Sequence, residues 1–241
     1  MSSEEFEVNE EDELLMHNYQ TLPKNCKKYW RKRYQIFSKF DEGIYLTSEL
    51  WYSVTPESVA KYTAHFVKKN LKKCRYVLDV CCGGGGNTIQ FAKVCKKAVG
   101  VDINRANITC CIQNASVYGV SDTTEFVQGD WHSLKNKSDW IPLKKKKFDF
   151  AFCSPPWGGP SYNNENFDLE AMEPFGLREI CLSLQKISDN FGLFLPRSSD
   201  TSQISDITHE MFGRKGKARL VYVYSDEHLV GLLAFFGKDF E

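Results

Sequence analysis

Val77-Leu78-Asp79-Val80-Cys81-Cys82-Gly83-Gly84-Gly85-Gly86-Asn87 decides the fold. An apolar, β-rich run closes on an acid, four glycines follow, and a helical pattern begins, so the stretch reads as strand, tight turn and helix. Glycines at such a turn let the backbone bend sharply and approach a ligand with no Cβ in the way, which makes Gly83 and Gly85 candidates for ligand contact. A dinucleotide site calls for G-x-G-x-x-G here. This chain has an acid at the strand end and an unbroken glycine run instead. A carboxylate at Asp79 repels a pyrophosphate but suits the cationic amino group of a methionine moiety.

Outward from this turn the pattern repeats. Strands are expected near 75–80, 97–102, 123–128, 148–153, 190–196, 218–225 and 229–236, with helices near 87–95, 104–118, 174–187 and 201–212. Strands separated by helices give a parallel sheet covered on both faces. The last two strands are joined only by Ser225-Asp226-Glu227-His228, a hairpin-length link that makes them antiparallel. The fold class is therefore α/β: a Rossmann-like, mostly parallel seven-stranded sheet with an antiparallel C-terminal hairpin. Upstream, Thr55-Pro56-Glu57-Ser58 reads as a helix start with Thr55 as N-cap, the helix running to about Asn70. Residues 24–40 read as one amphipathic helix, with Tyr29, Arg33, Ile36, Phe37 and Phe40 on a single stripe. The expected organisation is an acidic, disordered tail over 1–23, a short helical extension covering the active site over 24–70, and a catalytic domain over 71–241.

Formal net charge is zero, but residues 1–13 carry seven acids and no base, leaving 31 bases against 24 acids in the rest. Such a body attracts anionic ligands. Its bases gather at Lys24–Arg33, Lys68–Arg75 and Lys144–Lys147. Nine cysteines, odd in number, with adjacent pairs at Cys81-Cys82 and Cys110-Cys111 and no C-x-x-C spacing, indicate reduced thiols rather than disulfides or a metal site. No apolar run approaches the ~18 residues of a membrane span.

Two further acids follow Asp79 at strand ends. Asp102 closes the second strand, where a carboxylate accepts hydrogen bonds from ribose hydroxyls; it can also cap the helix that starts near Asn104. Gly129-Asp130-Trp131 follows the third strand and offers an acid and an aromatic where an adenine would lie. With the glycines, the set matches the order expected for S-adenosylmethionine.

After the fourth strand comes Ser154-Pro155-Pro156-Trp157-Gly158-Gly159-Pro160. Consecutive prolines fix φ and cannot donate, which makes a rigid loop. Its pattern resembles the (D/N/S)-P-P-(Y/F/W) motif of methyltransferases acting on planar exocyclic or amide nitrogens. The carbonyl beside Pro155 can accept from the amine, and Ser154 is a polar partner rather than a strong base. Trp157 can stack on the acceptor base, and indole is the best ring for a cationic one. Catalysis would rest on positioning and electrostatics.

The combination KYWRKRYQIFSKFD, LWYSVTPE, DVCCGGGGNTIQFA, SPPWGGP-x-Y and FLPR resembles the trimethylguanosine synthases from about Lys27 onward. The resemblance implies two methyl transfers from S-adenosylmethionine to N2 of the 7-methylguanosine cap of small nuclear and nucleolar RNAs. It implies that Trp157 stacks on 7-methylguanine, that Lys28, Tyr162 and Arg197 hold cap phosphates, and that Phe37 covers the cofactor. Ser53 and Thr55 would line the same pocket, with Asp79, Gly83, Asp102 and Asp130 as the cofactor set. It also implies a nuclear, nucleolar or additionally cytoplasmic monomer with small ribonucleoprotein partners, off any membrane. The basic runs then serve as import signals or RNA contacts. Two other readings stand beside it: an N6-adenine or glutamine-amide methyltransferase, and a cap-binding module without catalysis.

Overall fold

The computed structural model describes residues 14–137, 139–141, 147–158 and 166–240. The chain begins with a 310 turn over Lys27–Lys32, helix α1 (Arg33–Ile36) and a 310 turn over Phe40–Glu42, then α2 (Leu50–Ser53) and α3 (Glu57–Asn70). The alternating body follows: β1 (Tyr76–Val80), α4 (Gly86–Val94), β2 (Lys97–Asp102), α5 (Arg105–Val117), β3 (Thr124–Gln128), α6 (Trp131–Leu134) and β4 (Phe150–Cys153). It closes with α7 (Leu177–Ile187), β5 (Phe191–Leu195), α8 (Thr201–Phe212), β6 (Arg219–Ser225) and β7 (His228–Phe236).

One seven-stranded sheet runs β3-β2-β1-β4-β5-β7-β6. β1 to β5 are parallel, while β7 pairs antiparallel with both β5 and β6. The order reverses between β2 and β4 on either side of β1, so the ends of β1 and β4 flank the switch point where open α/β sheets bind ligands. Strand alternation splits the core between two faces. Val77, Phe150, Phe152, Leu233 and Phe235 pack toward α3, α4 and the N-terminal segment. Leu78, Val80, Ala151, Cys153 and Leu232 pack toward α7 and α8.

Three expectations change. Residues 24–40 do not form one helix: a 310 turn and the four-residue α1 give way to extended backbone at Phe37, φ −138° and ψ 112°. Tertiary packing overrides the periodicity, because Trp30 stacks on Trp51 at 5.8 Å and meets Phe40 edge-on at 5.6 Å. Thr55 is not the cap of α3; Pro56 holds the N-cap position, its carbonyl accepting from Val59 and Ala60. The expected tail extends too far, since Leu22 is buried and the Leu15 carbonyl accepts from Leu46 N–H at 2.8 Å. Leu22, Cys26, Ile36, Phe37, Phe40, Leu46 and Leu50 share one hydrophobic cluster with the sheet, so the extension is part of the core.

Candidate active site

The turn after β1 is pinned from three directions. Gly83 N–H donates to Asp102 Oδ2 at 2.8 Å, Cys111 Sγ donates to the Gly83 carbonyl at 2.8 Å, and Asn114 Nδ2 donates to the Gly84 carbonyl at 2.9 Å. Gly83 has φ +52°, and a Cβ there would lie 2.9 Å from Leu50 Cδ2, so both conformation and space demand glycine. Gly85, at φ +81°, is the N-cap of α4. Asp79 is fully buried beneath this turn. Its Oδ2 accepts from the Thr88 hydroxyl at 2.5 Å, while Oδ1 has no partner. Burial pushes its carboxyl up to about 7; hydrogen bonds from Thr88 oppose the rise and the nearby Asp102 adds to it. An unmet buried carboxylate oxygen is costly unless a donor arrives. Together with the glycine cradle it fits a cofactor ending in an ammonium group. Asn87, whose Oδ1 is also buried without a partner, is a neighbour the sequence reading did not single out as a site residue.

Asp102 ties this region together. Its Oδ1 accepts from Asn104 N–H at 2.9 Å and Asn107 Nδ2 at 3.2 Å, while Asn104 itself caps α5. Oδ1 is thereby filled, while Oδ2, with the single bond from Gly83, keeps a lone pair for a ribose hydroxyl. Gly129 N–H donates to the Asp102 carbonyl at 2.9 Å, which brings Asp130 alongside. Asp130 caps α6; slight burial raises its carboxyl pKa, but the His132 N–H and Ser133 hydroxyl bonds outweigh it and hold the carboxyl below its usual value. Trp131 does not belong to the site: its ring is buried toward α7, with Nε1–H donating to the Ser183 hydroxyl at 2.9 Å. The N-terminal segment covers the turn through Leu46, Leu50, Val54 and Phe37, all packed close to its glycines. Thr55 accepts from Asn87 Nδ2 at 3.1 Å, the bond that replaces its expected capping role.

β4 pairs with β1, Val80 opposite Cys153, which sets the Ser154 loop one strand spacing (about 4.8 Å) from the glycine turn. Among the described residues, neither the Ser154 hydroxyl nor the Pro155 carbonyl takes a hydrogen bond. Trp157 is half-buried; its Nε1–H donates to the Phe194 carbonyl at 3.3 Å and its ring meets the Phe194 ring at 5.1 Å and 58°. Phe194 in turn lies on Gly231 of β7, where a Cβ would come within 2.3 Å of its ring. This brace was invisible in the sequence, because Phe194 reads only as a strand apolar. Arg197, exposed beyond β5, donates to the Leu229 carbonyl at 3.5 Å. Lys28 is exposed with its ammonium 5.0 Å from the centre of the Tyr29 ring, and Ser53 donates to the Glu49 carbonyl at 3.0 Å. No described contact joins Lys28 or Ser53 to the Trp157 loop. Tyr162 lies outside the described residues. Among the described residues, no cluster of His, Cys, Asp and Glu fits a metal, and no helix is long and apolar enough to cross a membrane.

Fold and site together define a class I methyltransferase that uses S-adenosylmethionine. The O-methyltransferase TomG of Streptomyces achromogenes, solved with that cofactor, shares the fold: TM-score 0.55, 14% identity, covering 93% of this chain and 92% of that one. The RNA cap guanine-N2 methyltransferase profile matches residues 74–239. A trimethylguanosine synthase of Saccharomyces cerevisiae is 43% identical over 216 residues, covering 88% of this chain and 68% of that protein. One of Schizosaccharomyces pombe is 38% identical over 208 residues, covering 81% and 82%. The chain belongs to the RNA cap guanine-N2 methyltransferase family.

Proposed function

We propose that this chain methylates N2 of the 7-methylguanosine RNA cap, twice, yielding the 2,2,7-trimethyl cap. The observation that carries the reading is adjacency: the Ser154–Trp157 loop stands one strand from the buried, half-unmet carboxylate of Asp79. The cofactor, when bound, supplies an electrophilic methyl group. Asp79 pairs with its ammonium, the glycine turn accepts its close approach, and Asp102 and Asp130 serve its ribose and adenine ends. The N2 amine is a weak nucleophile because its lone pair is delocalised into the ring. The Pro155 carbonyl and Ser154 hydroxyl accept hydrogen bonds from its N–H groups and turn the lone pair toward the methyl. Trp157 stacks on the cationic base, an attraction worth roughly 0.5–2 kcal/mol. Ser154 positions the amine; its proton leaves to solvent.

Lys28, Tyr162 and Arg197 hold the phosphates in this reading, and Phe37, Ser53 and Thr55 line the covering wall. Small nuclear and nucleolar RNAs carry the cap to a monomeric enzyme in the nucleus and nucleolus, among their ribonucleoprotein partners. The basic character of Lys24–Arg33 supports this. The test is mass spectrometry of 7-methyl-GTP and GTP after incubation with enzyme and cofactor. Two methyls on the first and none on the second are expected. Equal methylation of both would remove the cationic stacking that the reading depends on.

A further inference from the structure

β6 is an edge strand with an unusual outward face. Val221 and Val223 turn inward, while Leu220, Tyr222 and Tyr224 are 37%, 50% and 60% exposed. Edge strands ordinarily blunt themselves with charge rather than display aromatics. Beyond the backbone ladder to β7, neither tyrosine's hydroxyl or ring meets a hydrogen-bond or ring partner among the described residues. The strand runs parallel to β5, so Tyr224 lies at the active-site edge. There Leu229, whose carbonyl accepts from Arg197, is the register partner of Tyr224. From that point Tyr222 and Leu220 follow at steps of about 7 Å. Beyond them come Lys217, Lys215 and Arg214, all exposed, with no acid among residues 214–219; Arg219 itself falls on the face of Val221 and donates to the Phe240 carbonyl at 3.0 Å.

We propose that this face is a track for the single-stranded RNA that follows the cap. Tyr224 and Tyr222 stack on the first bases, and Arg214, Lys215 and Lys217 take phosphates farther along. The proposal rests on the cap-methylation reading and extends it from the cap to the RNA body. Aromatic faces spaced along a strand and flanked by cations suit nucleotides of any sequence, since every base has a stacking face. A protein strand added to this edge would draw on the backbone and have no use for three cations. Two acids, Asp226 and Glu227, stand at the hairpin turn. The carboxylate of Asp226 accepts from Gln35 at 2.5 Å, which brings the basic Lys27–Arg33 segment to the head of the track.

The test compares methylation of the dinucleotide m7GpppG with that of a capped, unstructured ten-nucleotide RNA at low salt. Wild type should show a lower KM for the capped RNA. Tyr222→Ser with Tyr224→Ser should raise that KM roughly tenfold or more and leave dinucleotide kinetics unchanged. A second variant, Arg214→Gln with Lys215→Gln and Lys217→Gln, should flatten the salt dependence for the capped RNA alone. Equal KM values for the two substrates in wild type, or equal losses on both in the variants, would overturn the track and leave the cap reading standing. Absence of methyl transfer to either substrate would overturn the cap reading itself.

Discussion

The turns after β1 and β4 leave the sheet side by side, yet they are held by opposite means. The first is fixed by polar partners: Asp102, Cys111 and Asn114 each bind a backbone group of the glycine run. The second has prolines for stiffness and one long side chain, Trp157, hooked over Phe194. A loop without side chains must be positioned through its backbone, whereas a loop that presents a ring must be positioned through the ring. Losses at the two should therefore separate, cofactor affinity from one and cap affinity from the other.

The largest separation should come from Asp79→Asn, which keeps the Thr88 bond and removes the charge. Cofactor affinity by calorimetry should fall on the order of 100-fold, with cap-analogue affinity nearly unchanged. Trp157→Ala should do the reverse, a roughly 10- to 100-fold loss for 7-methyl-GTP by fluorescence titration and little change for the cofactor. Parallel losses in either variant would erase the distinction between the loops.

The pH response is a subtler discriminator. Asp79 titrates near 7, raised from its ordinary value by burial. The ionised form binds the ammonium, so cofactor affinity should weaken as pH falls through 7, by up to about tenfold per unit, and Asp79→Asn should flatten the profile. Stability of the cofactor-free protein runs the other way. A raised carboxyl pKa stabilises the fold fully below the unfolded value, near 4, and that contribution is lost as pH rises through about 7. Thermal melts without cofactor should show this decline in wild type and not in Asp79→Asn. The smallest effect belongs to Gly231→Ala. It pushes on Phe194 and should loosen Trp157, costing a few-fold in cap affinity and about 1–3 kcal/mol in stability.

Legibility in the sequence followed the same division. Strands such as Tyr76–Val80 and Lys97–Asp102 were readable because apolar runs met glycine or acid punctuation within a residue or two of their ends. The placement of Asp79 and Asp102 beside the glycine turn was readable because a strand end fixes where a carboxylate goes. The Lys27–Phe40 region was not, since Trp30 and Phe40 pack on Trp51, a residue outside the region that no helical spacing links to them. Trp131 looked like a ligand contact and is core, because sequence does not reveal which side of a strand end the next helix takes. The brace behind Trp157 depends on β7 lying between β5 and β6, a topology no local pattern announces.

That placement also governs assembly. β7 is made after every other strand, yet it sits inside the sheet with neighbours on both sides. The two-residue turn at Asp226 and Glu227, both at positive φ, closes β6 and β7 as a tight local hairpin. Only the packing of β7 against β5 sets Gly231 under Phe194. On a growing chain the glycine turn after β1 can form before β7 exists, while the brace behind Trp157 waits for it. Cap-binding competence should therefore mature last during synthesis.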